Sequence, residues 1–274
     1  MITLDTGHIF EVRNLDYDYP GNIAALRQIN LTIVPGELVA LLGANGSGKS
    51  TLLKLMDGLV FPSSGEILVF GKPLSEKSLK DGPFVMEFRR RVGLVFQDPD
   101  VQLFSSTVWD EVTFGPLQLG IPRNEVISRG SDALKLLNIA HLQERPPYRL
   151  SSGEKKKVAL ASVLSLHPQV LLLDEPTTGL DPWSQGNLID FLIDWADEGK
   201  SLVFSTQDLD IVEGLASRVI VLGPDHSLVA DGKPEEFLAD PDFLLRTNLV
   251  HEHSHRHKEL VHRHPHLHEH HHQH

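Results

Sequence analysis

Gly43-Ala44-Asn45-Gly46-Ser47-Gly48-Lys49-Ser50 is the stretch on which the fold turns. An almost wholly apolar run, Glu37–Leu42 (ELVALL), precedes it. Lys49–Asp57 (KSTLLKLMD) follows, with apolar residues at helical spacing and Gly58 as the stop. A buried strand, a glycine turn and a helix start are the context in which G-x-x-x-x-G-K-[ST] binds phosphate. The glycines let successive backbone N–H groups converge on phosphate oxygens, and the helix start adds positive dipole character. Lys49 is then expected to reach the β- and γ-phosphates, and the Ser50 hydroxyl to ligate Mg²⁺.

Working outward, short apolar segments at His8–Leu15, Ile29–Val34, Glu66–Phe70, Val92–Phe96, Val170–Leu173, Ser201–Phe204 and Val219–Leu222 read as strands. Helical patterns at Arg123–Leu137, Trp183–Ala196 and Leu209–Ala216 interleave with them. Strands alternating with helices predict an α/β protein, with residues 98–166 as a helical insertion between two strands. Leu171-Leu172-Leu173-Asp174-Glu175 is an apolar strand ending in two carboxylates. Paired with the glycine turn, Asp174 is expected to hold Mg²⁺ and Glu175 to polarise an attacking water as general base.

The 274 residues carry 25 Lys+Arg against 37 Asp+Glu, a net charge of −12, with 41% hydrophobic and 23% charged residues. That is a globular mixture with room for a sizeable core, in one large or two modest domains. The acidic balance argues against nonspecific nucleic-acid binding. With no cysteine there is no disulfide or thiolate site. No apolar run is long enough to span a bilayer, and MITLDTGHIFEVRN does not read as a secretory signal. The expectation is a soluble intracellular chain. Of 16 His, only His8, His141, His167 and His226 precede residue 250. Arg256, Lys258 and Arg263 offset Glu252, Glu259 and Glu269 in the remainder, so the whole −12 belongs to the body.

Over about residues 8–240 the sequence resembles the ATP-binding-cassette (ABC) ATPases. Five elements carry the resemblance in order: Tyr19; the turn Gly43–Thr51; Gln97 in FQDPD; Leu150-Ser151-Ser152-Gly153-Glu154, similar to the signature motif; and Asp174-Glu175 followed by Gly179-Leu180-Asp181-Pro182. The resemblance implies an α/β P-loop NTPase fold with an antiparallel β subdomain and the helical insertion, spanning 1–245. It implies that Tyr19 stacks on adenine, that ATP contacts run over Gly43, Ala44, Asn45, Gly46, Ser47, Gly48, Lys49, Ser50 and Thr51, and that Gln97 joins Ser50 and Asp174 at Mg²⁺. It further implies a head-to-tail dimer, homomeric or heteromeric, in which Ser151, Ser152, Gly153, Glu154 and Asp181 serve the partner's ATP. Closure on ATP would drive integral membrane subunits from the cytoplasmic face of the membrane.

Three positions depart from the family's pattern. Ser152 stands for a glycine, Glu154 for a glutamine, and Gln207, in Ser205-Thr206-Gln207-Asp208, for the switch histidine. Gln207 can donate to a γ-phosphate oxygen but cannot protonate near neutral pH, so catalysis is expected to rest on Glu175 and the trans contacts. Glu154 adds negative charge near the nucleotide.

Asp98–Phe104 and Asp110–Gly120, with Pro146-Pro147-Tyr148-Arg149 and Glu154–Val158, resemble energy-coupling-factor ATPases, and within them the cobalt/nickel branch. Trp109, Phe114 and Leu117 read either as core or as a groove for a helix of the membrane subunit, and Lys155–Lys157 as a solvated helix face. Residues 246–274 read as a disordered tail. His251, His253, His255 and His257 alternate, as do His262, His264, His266 and His268, and His270, His271, His272 and His274 follow. So many imidazoles offer several nitrogens to one Ni²⁺, Co²⁺, Zn²⁺ or Cu²⁺ ion. Vitamin uptake by the same ATPase is the alternative cargo. A nickel metallochaperone GTPase and a DNA-repair or translation cassette fit less well: no Lys-x-Asp base-reading motif and no sustained heptad repeat occur.

Overall fold

The computed structural model describes residues 7–257 and 260–266. β1 (Phe10–Tyr19) and β2 (Ile23–Ile33) form a hairpin, and the parallel sheet begins at β3 (Leu38–Leu42). The glycine turn then delivers α1 (Lys49–Met56), stopped at Gly58, whose φ of 67° suits the left-handed cap. β4 (Ser64–Val69) and β5 (Lys72–Pro73) return to the hairpin, giving an antiparallel sheet ordered β2-β1-β4-β5. After α2 (Gly82–Arg91) and β6 (Val92–Val95) comes the insertion, with α3 (Val108–Gln118), α4 (Arg123–Leu136) and α5 (Ser152–Leu164).

The chain re-enters the large sheet at β7 (Val170–Asp174), continues through α6 (Pro182–Asp197), β8 (Ser201–Ser205), α7 (Leu209–Leu215) and β9 (Arg218–Leu222), and turns back at β10 (Leu228–Gly232). Its order is β10-β9-β3-β8-β7-β6, parallel except for β10. This sheet is buried on both faces, which is why its strands read as continuous apolar runs. Leu171, Leu173, Leu202, Phe204, Val219 and Val221 face the helices of the insertion and C-terminal part. Val170, Leu172, Val203, Ile220 and Leu222 face α1, α2 and the antiparallel sheet. The fold is therefore the expected α/β P-loop NTPase with its antiparallel subdomain and helical insertion.

Two details differ from the sequence expectations. The first element runs on to Tyr19, because the hairpin pairing Phe10↔Ile33 through Tyr19↔Ile23 carries it past three irregularities. The C-terminal part also departs from a disordered tail starting at 246. After α8 (Pro234–Leu238) and α9 (Pro241–Arg246), Thr247 donates to the Phe243 carbonyl at 2.8 Å, and Val250 is buried in the main core. Beyond it, β11 (His251–His257) pairs antiparallel with β12 (Leu260–His266). Histidine at every second position matches the period-two pleat of a strand, a pattern read in sequence only as composition. His268, His270, His271, His272 and His274 lie outside the described residues.

Candidate active site

At Gly43 φ is 149° and at Gly48 109°, backbone that favours glycine. A Cβ at Gly43 would stand 2.4 Å from Ser47 Oγ and 2.6 Å from the Leu222 carbonyl; one at Gly48 would meet the Ala25 carbonyl at 2.4 Å. Close packing against β2 and β9 thus explains two of the motif's glycines independently of any ligand. Ser47 N–H donates to the Ala44 carbonyl at 3.1 Å, closing the turn, while its buried hydroxyl has no hydrogen-bond partner among the described residues. Lys49 is buried and donates to the Gly43 and Ala44 carbonyls at 2.7 and 3.2 Å. Burial presses its pKa down, opposed by the nearby Glu175 and Asp174 carboxylates.

Parallel pairing sets Asp174 opposite Ser205 at the ends of β7 and β8, beside the turn. Ser50 Oγ donates to Asp174 Oδ1 at 2.9 Å, and Ser205 Oγ donates to the same oxygen at 2.6 Å. A hydroxyl and a carboxylate on adjoining elements are the hard oxygen donors Mg²⁺ takes, so the pair fits that ion. Glu175 follows at φ 47°, its N–H donating to Ser205 Oγ at 2.9 Å and its Oε2 accepting from Thr178 Oγ1 at 3.2 Å. Burial raises the Glu175 pKa above the usual carboxylate range, against the opposing Lys49 charge and Thr178 bond. Such a carboxylate is a stronger base than an exposed one.

Lys49, Ser50, Glu175 and Thr178 open into one cavity of about 860 Å³. Its lining includes Tyr19, Asn45, Gly46, Gly48–Thr51, Gln97, Glu175, Gln207 and His226. Tyr19 Oη and Thr51 Oγ1 share a hydrogen bond of 2.9 Å, and Tyr17 meets the Tyr19 ring edge-on. Gln207 Nε2 donates to Asn45 Oδ1 at 2.5 Å, which holds it at the mouth of the turn. Sequence reasoning missed Ser205, Thr178 and His226. Ser205 adjoins Gln207 in sequence, but its role needs the β7–β8 register. His226, in the β9–β10 turn, carries a buried Nδ1 without a partner among the described residues.

The signature residues 151–154 do not line this cavity. They begin α5 instead, as a complete capping box: Ser151 Oγ accepts from the Glu154 N–H at 3.3 Å, and Glu154 Oε2 accepts from the Ser151 N–H at 2.8 Å. The Ser151 N–H and hydroxyl lower the Glu154 pKa. The carboxylate expected to add charge near a nucleotide is thus engaged with its own helix start. Asp181 likewise caps α6, accepting from the Ser184 N–H at 3.0 Å. Lys155–Lys157 is not the solvated face expected: Lys155 pairs with Asp100 at 2.6 Å, and Lys156 is only 8% exposed. On the insertion, Phe104 and Phe114 stack edge-to-face at 4.9 Å while 67% and 42% exposed, with Leu117 also exposed and Trp109 packed on the core. Among the described residues no helix is long and apolar enough to cross a membrane.

Residues 26–178 match the family model described as ABC transporter. The nickel import ATP-binding protein NikO of Rhodobacter capsulatus is 47% identical over 244 residues, covering 88% of this chain and 95% of that one. Among solved structures, cbiO1 from Clostridium perfringens, part of the ABC transporter complex cbiONQ, superposes with a TM-score of 0.73 at 40% identity, covering 89% of this chain and 95% of that one. The ATP-binding cassette MJ0796, a dimer in a post-hydrolysis state bound to ADP and Pi, gives a TM-score of 0.73 at 27% identity over 82% of this chain and 98% of its own.

Proposed function

The chain belongs to the ABC transporter ATP-binding family, a family of ATPases, and from that premise we propose that it is the ATP-hydrolysing subunit of an energy-coupling-factor importer for nickel or cobalt. The observation that carries the hydrolytic part is the convergence of Lys49, Ser50 and Glu175 on one cavity, with Asp174 bonded to Ser50 directly behind it. The β- and γ-phosphates enter the Gly43–Thr51 turn and take over Lys49 from the Gly43 and Ala44 carbonyls. Ser50 and Asp174, with Gln97 on the same cavity as Ser50, would hold Mg²⁺, which would neutralise phosphate charge. Glu175 accepts the proton of the attacking water as its oxygen bonds to the γ-phosphorus and the bond to ADP breaks. Gln207 donates its amide to a γ-phosphate oxygen, a contact that does not titrate.

Ser151 and the Gly153 N–H, at the start of α5, complete the site of a second cassette, equal or paralogous; that MJ0796 is dimeric with ADP and Pi bound supports a dimer. We read the exposed Phe104–Phe114 pair, with Leu117, as the apolar patch that receives a helix of the membrane subunit, the protein working at the cytoplasmic face. The nickel or cobalt cargo is supported by the similarity to NikO and by the histidine tail. In the hairpin register His251, His253 and His255 pair with His266, His264 and His262, which brings six histidine positions onto one two-stranded ribbon, and imidazole suits Ni²⁺, Co²⁺ or Zn²⁺. Vitamin uptake is the second reading. Copurification with membrane subunits, followed by metal uptake assays, separates the two.

A further inference from the structure

The start of α5 is fastened to the segment after β7 by two neighbouring side chains. Lys156 Nζ donates to the Glu175 carbonyl at 2.8 Å and to the Thr178 carbonyl at 2.5 Å, and Lys157 Nζ lies 5.2 Å from the Trp183 ring centroid. At the same helix start, a Cβ added at Gly153 would touch Leu180 at 3.6 Å, an ordinary packing distance. A buried ammonium is costly without partners, and here two carbonyls supply them. The segment it holds needs holding: Glu175 has a left-handed backbone that non-glycine residues adopt only under constraint. Thr178, at the other end of the clamp, is the residue that bonds the Glu175 carboxylate. Lys156 therefore fixes both the backbone of Glu175 and the backbone of the group that orients its side chain.

Five residues earlier on the same rigid element lies Ser151, which with Glu154 closes the capping box. A helix rises 1.5 Å per residue, so the two positions are about 7.5 Å apart along the axis and move together. We propose that Lys156 is a positioning residue that couples the two ATP sites of the dimer: it passes engagement of Ser151 with the partner's nucleotide to the Glu175–Thr178 segment of its own chain's site. The proposal rests on the reading of Glu175 as general base and of the signature as acting in trans. Lys156 touches neither nucleotide; it sets where the base stands once the neighbouring site is filled.

The test is the ATP dependence of hydrolysis by the full chain carrying Lys156→Met, which keeps the stem and removes the donors, beside Lys156→Arg, which keeps donors. Two interacting sites give the wild type a Hill coefficient above 1. Lys156→Met is expected to lower it towards 1 and to cut kcat at least about tenfold, about 1.4 kcal/mol of barrier. KM and the affinity for a fluorescent ATP analogue stay within about twofold, since uniform binding is untouched. Lys156→Arg is expected to recover cooperativity. A folded Lys156→Met with wild-type kcat and Hill coefficient overturns the proposal, as does a wild type without cooperativity. Should Lys156→Met fail to bind the analogue, Lys156→Leu, which also lacks donors, is read by the same criteria. Glu175→Gln runs alongside. If it still hydrolyses ATP, the reading of the base has failed; if it is inactive while Lys156→Met behaves as wild type, only the coupling has failed.

Discussion

Ser205 Oγ donates to Asp174 Oδ1 at 2.6 Å, and the same hydroxyl accepts the Glu175 N–H at 2.9 Å. One buried side chain thus fixes both the carboxylate proposed to hold Mg²⁺ and the backbone of the proposed base. Ser205→Ala would leave the Glu175 N–H unpaired and remove one donor from Asp174. It is expected to destabilise the fold by about 1–3 kcal/mol and to lower kcat roughly tenfold. Urea unfolding and steady-state ATPase assays measure both; an unchanged kcat would remove Ser205 from the support of the site.

Glu175→Gln is expected to leave ATP binding intact and nearly abolish hydrolysis, because the amide accepts no proton from water. Gln207→His is expected to preserve or raise the rate. In the wild type the rate climbs with pH as Glu175 deprotonates, and that limb lies above the usual carboxylate range because burial raises the Glu175 pKa. Gln207 adds no limb near pH 6.5, whereas the histidine variant does. Identical pH profiles for wild type and Gln207→His would place residue 207 away from the γ-phosphate.

At the end of α1, burial raises the Asp57 pKa from 3.8 to about 6, against the pairing with Arg89 at 2.8 Å. The native state therefore binds a proton between about pH 4 and 6 that the unfolded chain has released. Stability from this group is full below about pH 4 and falls as pH rises to about 6, by about 3 kcal/mol. Asp57→Asn lacks the titration. The wild-type stability relative to the variant should decline across that window in urea unfolding and stay flat above it; a constant difference would contradict the assignment.

Removing residues 251–274 is expected to leave the ATPase kcat within about twofold and to abolish Ni²⁺ binding by isothermal titration. In the full chain, binding should weaken as pH falls through about 6.5, since protonated imidazoles are lost as ligands. Ni²⁺ affinity unchanged by the truncation would move the metal site into the body.

What could be read from the chain followed the range of the interactions. Gly43–Ser50 and Leu171–Glu175 are local patterns whose chemistry depends on neighbours in sequence, and both were legible. So was the doubly buried sheet, because strands such as Leu38–Leu42 have no polar face. Ser205 and Lys156 were not, because their partners lie 31 and 19 residues away and are brought close only by β-strand register and helix docking. Glu154 is the instructive case. Ser-x-x-Glu at Ser151–Glu154 is a helix-start pattern visible in the sequence, yet its position in a resemblance drew attention to the nucleotide instead. The tail was read by composition, although its alternation already carried strand period.

The central claim is tested most directly by uptake of Ni²⁺ and Co²⁺ into membranes holding the copurified complex, comparing the wild-type chain with Glu175→Gln. The expected result is ATP-dependent metal accumulation that the substitution eliminates while the complex stays assembled. Copurification with a vitamin-binding membrane subunit, and no metal accumulation with either chain, would contradict it.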